Sequence, residues 1–146
     1  MDQDEAGQAR TRAARQFIEA IPFSREIGME VVEVTDGAAE IRMAWDARLV
    51  GDPATGVIHG GAVSALMDTC CGAAVASHPE GSPATATLDL RIDYMRAATP
   101  RQAVRAKAEV YHIGRTVAFV RARAWDDRDD PPVAVAQGAF TVDRGR

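Results

Sequence analysis

The sequence predicts an α+β domain in which one antiparallel β-sheet wraps around a single long central helix. Three observations carry this. Two short β-rich runs come first, then a stretch from Ala62 to Ser77 that is apolar all round, and the runs after Ala84 alternate with period two. A helix with hardly any polar face must be covered on most sides, and the strands are the cover this chain offers. A length of 146 residues, 47% hydrophobic and 26% charged, fits one such domain and supports a core without disulfides or a structural metal.

In chain order, Gln8 to Ile21 is rich in Ala, Arg and Gln and gathers Phe17, Ile18 and Ile21 near its end. It reads as a short amphipathic helix closed by Pro22, so residues 1–22 are taken as a helical extension and 23–146 as the domain proper. Ile27 to Val34 and Ala38 to Trp45 form a hairpin around Asp36-Gly37, a strong short turn signal. Leu49 to Gly56 is a turn-rich loop holding Gly51, Asp52 and Pro53. The helix follows, with Val63, Leu66, Met67, Cys70, Cys71, Ala74 and Val75 spread around it, and Pro79, Gly81 and Pro83 end it. Thr87 to Met95 then sets Leu88, Leu90, Ile92 and Tyr94 on one face and Asp89, Arg91 and Asp93 on the other. Ala103 to Ile113, Thr116 to Trp125 and Val133 to Val142 repeat the pattern and are expected to continue a meander. Their links are Gly114-Arg115 and Asp126 to Pro132. The acidic run in the second link lacks the glycine and terminal Glu of a calcium loop and reads as a solvated turn.

Composition narrows the function classes. Cys70 and Cys71 are adjacent, which disfavours a mutual bridge and excludes a C-x-x-C motif, and the acidic first residues do not resemble an export signal. A cytoplasmic setting is expected. Asp68 at the centre of the apolar helix argues against a membrane span. The net charge is −4, yet positions 91 to 123 hold eight basic residues against two acidic ones, an island suited to a phosphorylated ligand or simply to solvated strand faces. It carries no recognition motif, so nucleic acid is not expected. His59, His78 and His112 have no metal-ligand spacing, Ser64 has no G-x-S-x-G elbow, and neither a metal nor a cofactor is expected.

Asp68 is the only charge between His59 and His78. A carboxylate there must be hydrogen bonded, shifted in pKa, or facing a cavity. Gly60-Gly61 opens the same helix, where backbone N–H groups lack intrahelical partners and the dipole is positive, so a developing oxyanion could be held there.

Gly56-Val57-Ile58-His59-Gly60-Gly61, then Leu66-Met67-Asp68 on one helix, with the acidic residue nine positions after the histidine, resembles the hotdog-fold thioesterases of the PaaI type. The strand Thr87 to Met95 and the turn Gly114-Arg115-Thr116 are also similar to that family, and the resemblance runs from about Phe23 to Val142. It implies a hotdog fold and an acyl-CoA thioesterase acting on aromatic or medium-chain acyl groups. Asp68 would be general base or nucleophile, the Gly60 amide the oxyanion donor, Thr87 a hydroxyl that helps hold the water, and His59 an orienting residue. Gly61 would lie against the substrate, and Arg96 and Arg115 near the coenzyme A phosphates. It also implies a homodimer, or a dimer of dimers, in which the acidic residue of one protomer faces the His-Gly-Gly of the other. One position departs: where relatives often carry Asn, six residues before the histidine, this chain has Pro53, with Asp52 beside it. The alternatives are an acyl-CoA-binding protein without turnover and a hotdog hydratase or dehydratase.

Overall fold

A computed structural model describes residues 2–145, so Met1 and Arg146, the outer ends of the two expected segments, lie outside it. Two helices, α1 (Gln3–Ala20) and α2 (Pro22–Glu26), lead into strands β1 (Met29–Thr35) and β2 (Ala38–Met43). A small hairpin of β3 (Val50–Asp52) and β4 (Val57–Ile58) precedes helix α3 (Gly60–Ser77), and β5 (Thr87–Tyr94), β6 (Val104–Ile113), β7 (Val117–Trp125) and β8 (Ala134–Thr141) follow. All strands except β3 and β4 form one antiparallel sheet in the order β1-β2-β6-β7-β8-β5. With α3 packed against it, this is the hotdog fold. Among the described residues no helix is long and apolar enough to cross a membrane.

The core lies between the sheet and α3. Val63, Leu66, Met67, Cys70, Cys71 and Val75 of the helix are fully or almost fully buried against Ile41, Met43, Val104, Val120 and Phe140 of the strands. The cysteines are core residues: the Cys70 thiol lies against the Ala39 and Ala106 carbonyls, and burial pushes its pKa up to about 12. Gly37 supplies the positive φ of 78° that the first turn requires.

Four expectations are corrected. The first helix starts at Gln3, five residues earlier than its apolar cluster suggested, because Asp4 and Glu5 suit the positive end of the dipole; Pro22 opens α2 instead of merely closing α1. The loop from Leu49 to Gly56 contains the β3–β4 hairpin. The meander is real only from β6 to β8, for β5 crosses to the far edge and pairs with β8. Finally, the Asp126 turn is not simply solvated: Asp126 is buried and its carboxylate takes both terminal nitrogens of Arg96, at 2.9 and 2.7 Å.

Candidate active site

Helix α3 opens on a self-capping histidine. The His59 backbone N–H donates to the Leu49 carbonyl at 2.8 Å, and its Nδ1 accepts the Gly61 N–H at 2.8 Å. A neutral imidazole in that position carries its proton on Nε2. The cap starts the helix at Gly60, two residues before its apolar run, and the Gly60 N–H has no acceptor among the described residues. This is a free donor at the positive end of an 18-residue helix.

Asp68 lies two turns further on, half-buried, with its Oδ1 accepting the Thr87 hydroxyl at 2.7 Å. The contact depends on an irregularity. Strict alternation along β5 would put Thr87 on the face opposite Tyr94, yet both reach α3, because the register slips between Thr87 and Asp89. Thr87 pairs with buried Phe140, whereas Leu90 and Ile92 pair with Gly138 and Ala136 on that same face. The slip leaves Leu88 59% exposed, where plain alternation had placed it with Leu90. Gly138 makes room, since a Cβ there would stand 2.6 Å from the Asp89 carbonyl oxygen.

At the other end of β5, the Tyr94 hydroxyl donates to the Gly60 carbonyl at 2.7 Å and touches the Ser64 hydroxyl, which lies 3.1 Å from that carbonyl. Sequence reasoning missed this pair. The only signal was that Tyr94, like Leu90 and Ile92, falls on the helix-facing side of its strand. A cavity of about 290 Å3 lies beside Gly60, walled by Val57, Ile58, Val63, Tyr94, Met95 and Val133. The larger cavity, about 620 Å3, sits on the outer face of the sheet among Arg91, Lys107, Arg121 and Arg123, away from the Asp68 and Gly60 side.

The expected phosphate contacts separate. Arg96 is turned inward: all five of its N–H groups are used by Asp126 and by the carbonyls of Ala97, Arg128 and Pro131, which leaves none for a phosphate. Arg115 stands exposed in the β6–β7 turn and makes no ion pair among the described residues. Much of the basic island is neutralised locally, by Asp93 on Arg91, Glu109 on Arg121 and Glu40 on Arg105. Asp52, beside the position where relatives often carry Asn, is engaged within its own turn. Its two oxygens accept from Ala54 N and Thr55 Oγ1 within its own turn, at 3.1 and 2.9 Å, beside exposed Pro53.

Gly60 and Asp68 are eight residues apart on one straight helix, which separates them by roughly 12 Å. A carbonyl held against the Gly60 amide is therefore out of reach of the Asp68 of the same chain. The arrangement supplies two halves of a site for attack on a carbonyl, one donor half and one carboxylate half.

The sequence profile of the thioesterase superfamily matches residues 55–133, which span the donor, the carboxylate and β5 to β7. The medium/long-chain acyl-CoA thioesterase YigI of Salmonella typhimurium is 25% identical over 94% of this chain and 96% of its own length. A conserved protein of Pseudomonas aeruginosa superposes with a TM-score of 0.77 at 35% identity, covering 88% of this chain and 98% of that one. The PaaI protein of Escherichia coli, from the phenylacetic acid degradation operon, has a TM-score of 0.80 at 19% identity over 99% of this chain and 98% of its own, a likeness of fold.

Proposed function

Because the chain belongs to the thioesterase superfamily and is a thioester hydrolase, we propose that it hydrolyses medium-chain or aromatic acyl-CoA, with Asp68 as general base or nucleophile and the Gly60 amide as oxyanion donor. The observation that carries this reading is the Thr87–Asp68 hydrogen bond facing the same helix that presents a free Gly60 amide. Thr87 donates to one carboxylate oxygen of Asp68 and so fixes the carboxylate, leaving the second oxygen for water or the thioester carbon. With Asp68 as base, the carboxylate takes a proton from the attacking water and the amide stabilises the oxygen of the tetrahedral intermediate. The C–S bond then breaks, and the coenzyme A thiolate takes up that proton as the acid leaves. With Asp68 as nucleophile, the thiolate leaves first and water then hydrolyses the mixed anhydride. A positioned base contributes about 10² to 10⁴ in rate and a single oxyanion donor about 3 to 4 kcal/mol. The mostly apolar cavity beside Gly60 suits an acyl chain or ring, and the similarity to the medium/long-chain acyl-CoA thioesterase YigI favours an aliphatic chain.

The separation of about 12 Å between Gly60 and Asp68 favours a site shared by two copies. Strand β5 is the open edge of the sheet, bonded only to β8, with Leu88, Tyr94 and Met95 about half exposed along it. Two such edges pairing antiparallel about a two-fold axis would set the Thr87 end of one beside the Tyr94 end of the other. Each pairing makes two complete sites. Arg115, exposed at a sheet end, is the remaining candidate for the coenzyme A phosphates.

The test is thiol release from a panel of aromatic and medium-chain acyl-CoA thioesters, by wild type and by Asp68→Asn. Wild type is expected to turn over at least one of them, and Asp68→Asn to lower kcat by at least about 10²-fold while remaining folded. Saturable binding with no thiol released would overturn the reading in favour of an acyl-CoA-binding protein.

A further inference from the structure

We propose that Tyr94 and Ser64 are positioning residues that hold the oxyanion donor in place; this rests on the thioesterase reading above. Gly60 and Gly61 are the least constrained residues with which a helix can begin, so the direction of a free Gly60 N–H is set by what grips the peptides on either side. The peptide before it is held by the His59 carbonyl, which accepts from Ala62 N at 3.0 Å. The peptide after it is held at both ends: its N–H, on Gly61, donates to His59 Nδ1 at 2.8 Å, and its carbonyl, on Gly60, accepts the Tyr94 hydroxyl at 2.7 Å.

The three oxygens of Tyr94, Ser64 and Gly60 form a closed triangle, and two hydroxyl protons serve it. The geometry points to a relay in which Ser64 donates to Tyr94 and Tyr94, at the shorter distance, donates to the carbonyl. Tyr94 reaches Gly60 from across 34 residues of chain and from the open edge strand, so it ties the donor to the strand that carries Thr87. Donor and carboxylate halves are thereby referenced to one rigid element. The phenol ring also lies 3.6 Å from where a Gly60 Cβ would be, so it packs directly against the residue whose amide it positions.

The experiment compares wild type, Tyr94→Phe and Ser64→Ala. Tyr94→Phe keeps the ring and the cavity wall and removes the hydroxyl that grips the Gly60 carbonyl and accepts from Ser64, so kcat is expected to fall about tenfold with KM within about twofold. A trifluoromethyl ketone analogue of the acyl-CoA, which presents a tetrahedral anionic oxygen, should lose affinity by the same factor as kcat. The corresponding thioether, which has no carbonyl, should bind unchanged. Amide exchange at Gly61, followed by NMR, should speed up about tenfold. Ser64→Ala should give a smaller loss that does not add to that of Tyr94→Phe. Equal weakening of both analogues, or turnover at the wild-type rate with unchanged Gly61 exchange, overturns the positioning role while the thioesterase reading stands. A wild type that releases no thiol overturns both.

Discussion

Asp68 is half-buried and Asp126 is buried, and their neighbours give the two carboxylates different tasks. Among the described residues Asp68 has one hydroxyl partner, on Oδ1, which leaves Oδ2 for the reacting role proposed for it. Asp126 has none free: Arg96 grips both oxygens, and the amides of Thr99 and Arg128 add to the grip at 2.9 and 3.0 Å. The Arg96 guanidinium, opposed only by burial, holds the Asp126 carboxyl well below the usual carboxylate range. A group whose folded-state pKa is depressed adds stability that is present above its unfolded value, about 3.9, and is lost as pH falls toward the folded value. Asp126→Asn, which leaves Arg96 without its charge partner, is therefore expected to cost about 3 to 5 kcal/mol at neutral pH. In urea denaturation, its gap from wild type should narrow steadily below about pH 4; a gap that stays constant down to pH 2 would remove the ion pair as its cause.

At the scale of the element, the two edges of the sheet are treated differently. Edge strand β1 is covered by α1, whose Arg15 donates to the Val31 and Val32 carbonyls at 3.1 and 3.3 Å, and it carries a bulge between Val31 and Glu33. Edge strand β5 has no such cover among the described residues, as the proposed pairing with a second copy requires. Its own irregularity serves the site, because the slip after Thr87 turns that hydroxyl toward Asp68. Gly138→Ala should therefore act at a distance. With a Cβ 2.6 Å from the Asp89 carbonyl, β5 must shift, and kcat should fall toward that of a Thr87→Val enzyme with a stability loss of about 1 to 3 kcal/mol. Gly114→Ala, whose Cβ would meet only the Val117 carbonyl at 3.5 Å, is the control. Full activity in Gly138→Ala would separate the bulge from catalysis.

For the molecule as a whole, the proposed shared site makes a complementation test decisive. Gly60→Pro removes the donor N–H at a position where proline is tolerated, since Gly60 is the first residue of α3 and His59 already has the extended φ of −58° and ψ of 135° that precede a proline. Gly60→Pro and Asp68→Asn proteins should each be nearly inactive alone. Refolded together, they should regain activity, because each mixed dimer holds one site with neither change; no recovery would place both halves in a single chain. Arg115 is tested by salt. If it faces coenzyme A phosphates, Arg115→Ala should raise KM for the full acyl-CoA while leaving a truncated acyl thioester almost unchanged, and wild-type KM should rise with ionic strength more than kcat falls. An equal response of both substrates would assign Arg115 to structure.

Periodicity and turn chemistry are local properties, so the strands of the main sheet, the helix at its centre and the Asp36-Gly37 turn were all legible from the chain. Asp68 and Gly60-Gly61 were legible too, because a lone charge in an apolar helix and a glycine pair at its start are anomalies within a single element. What tertiary structure decided is what depends on distant partners. The placement of β5 beside β8 follows from long-range pairing, and the slip that turns Thr87 toward Asp68 needs Gly138, half a hundred residues away. Arg96 was drawn from the candidate phosphate contacts into the protein by Asp126, and Tyr94 was brought onto Gly60, because burial leaves each polar group to find its hydrogen bonds wherever the fold places a partner.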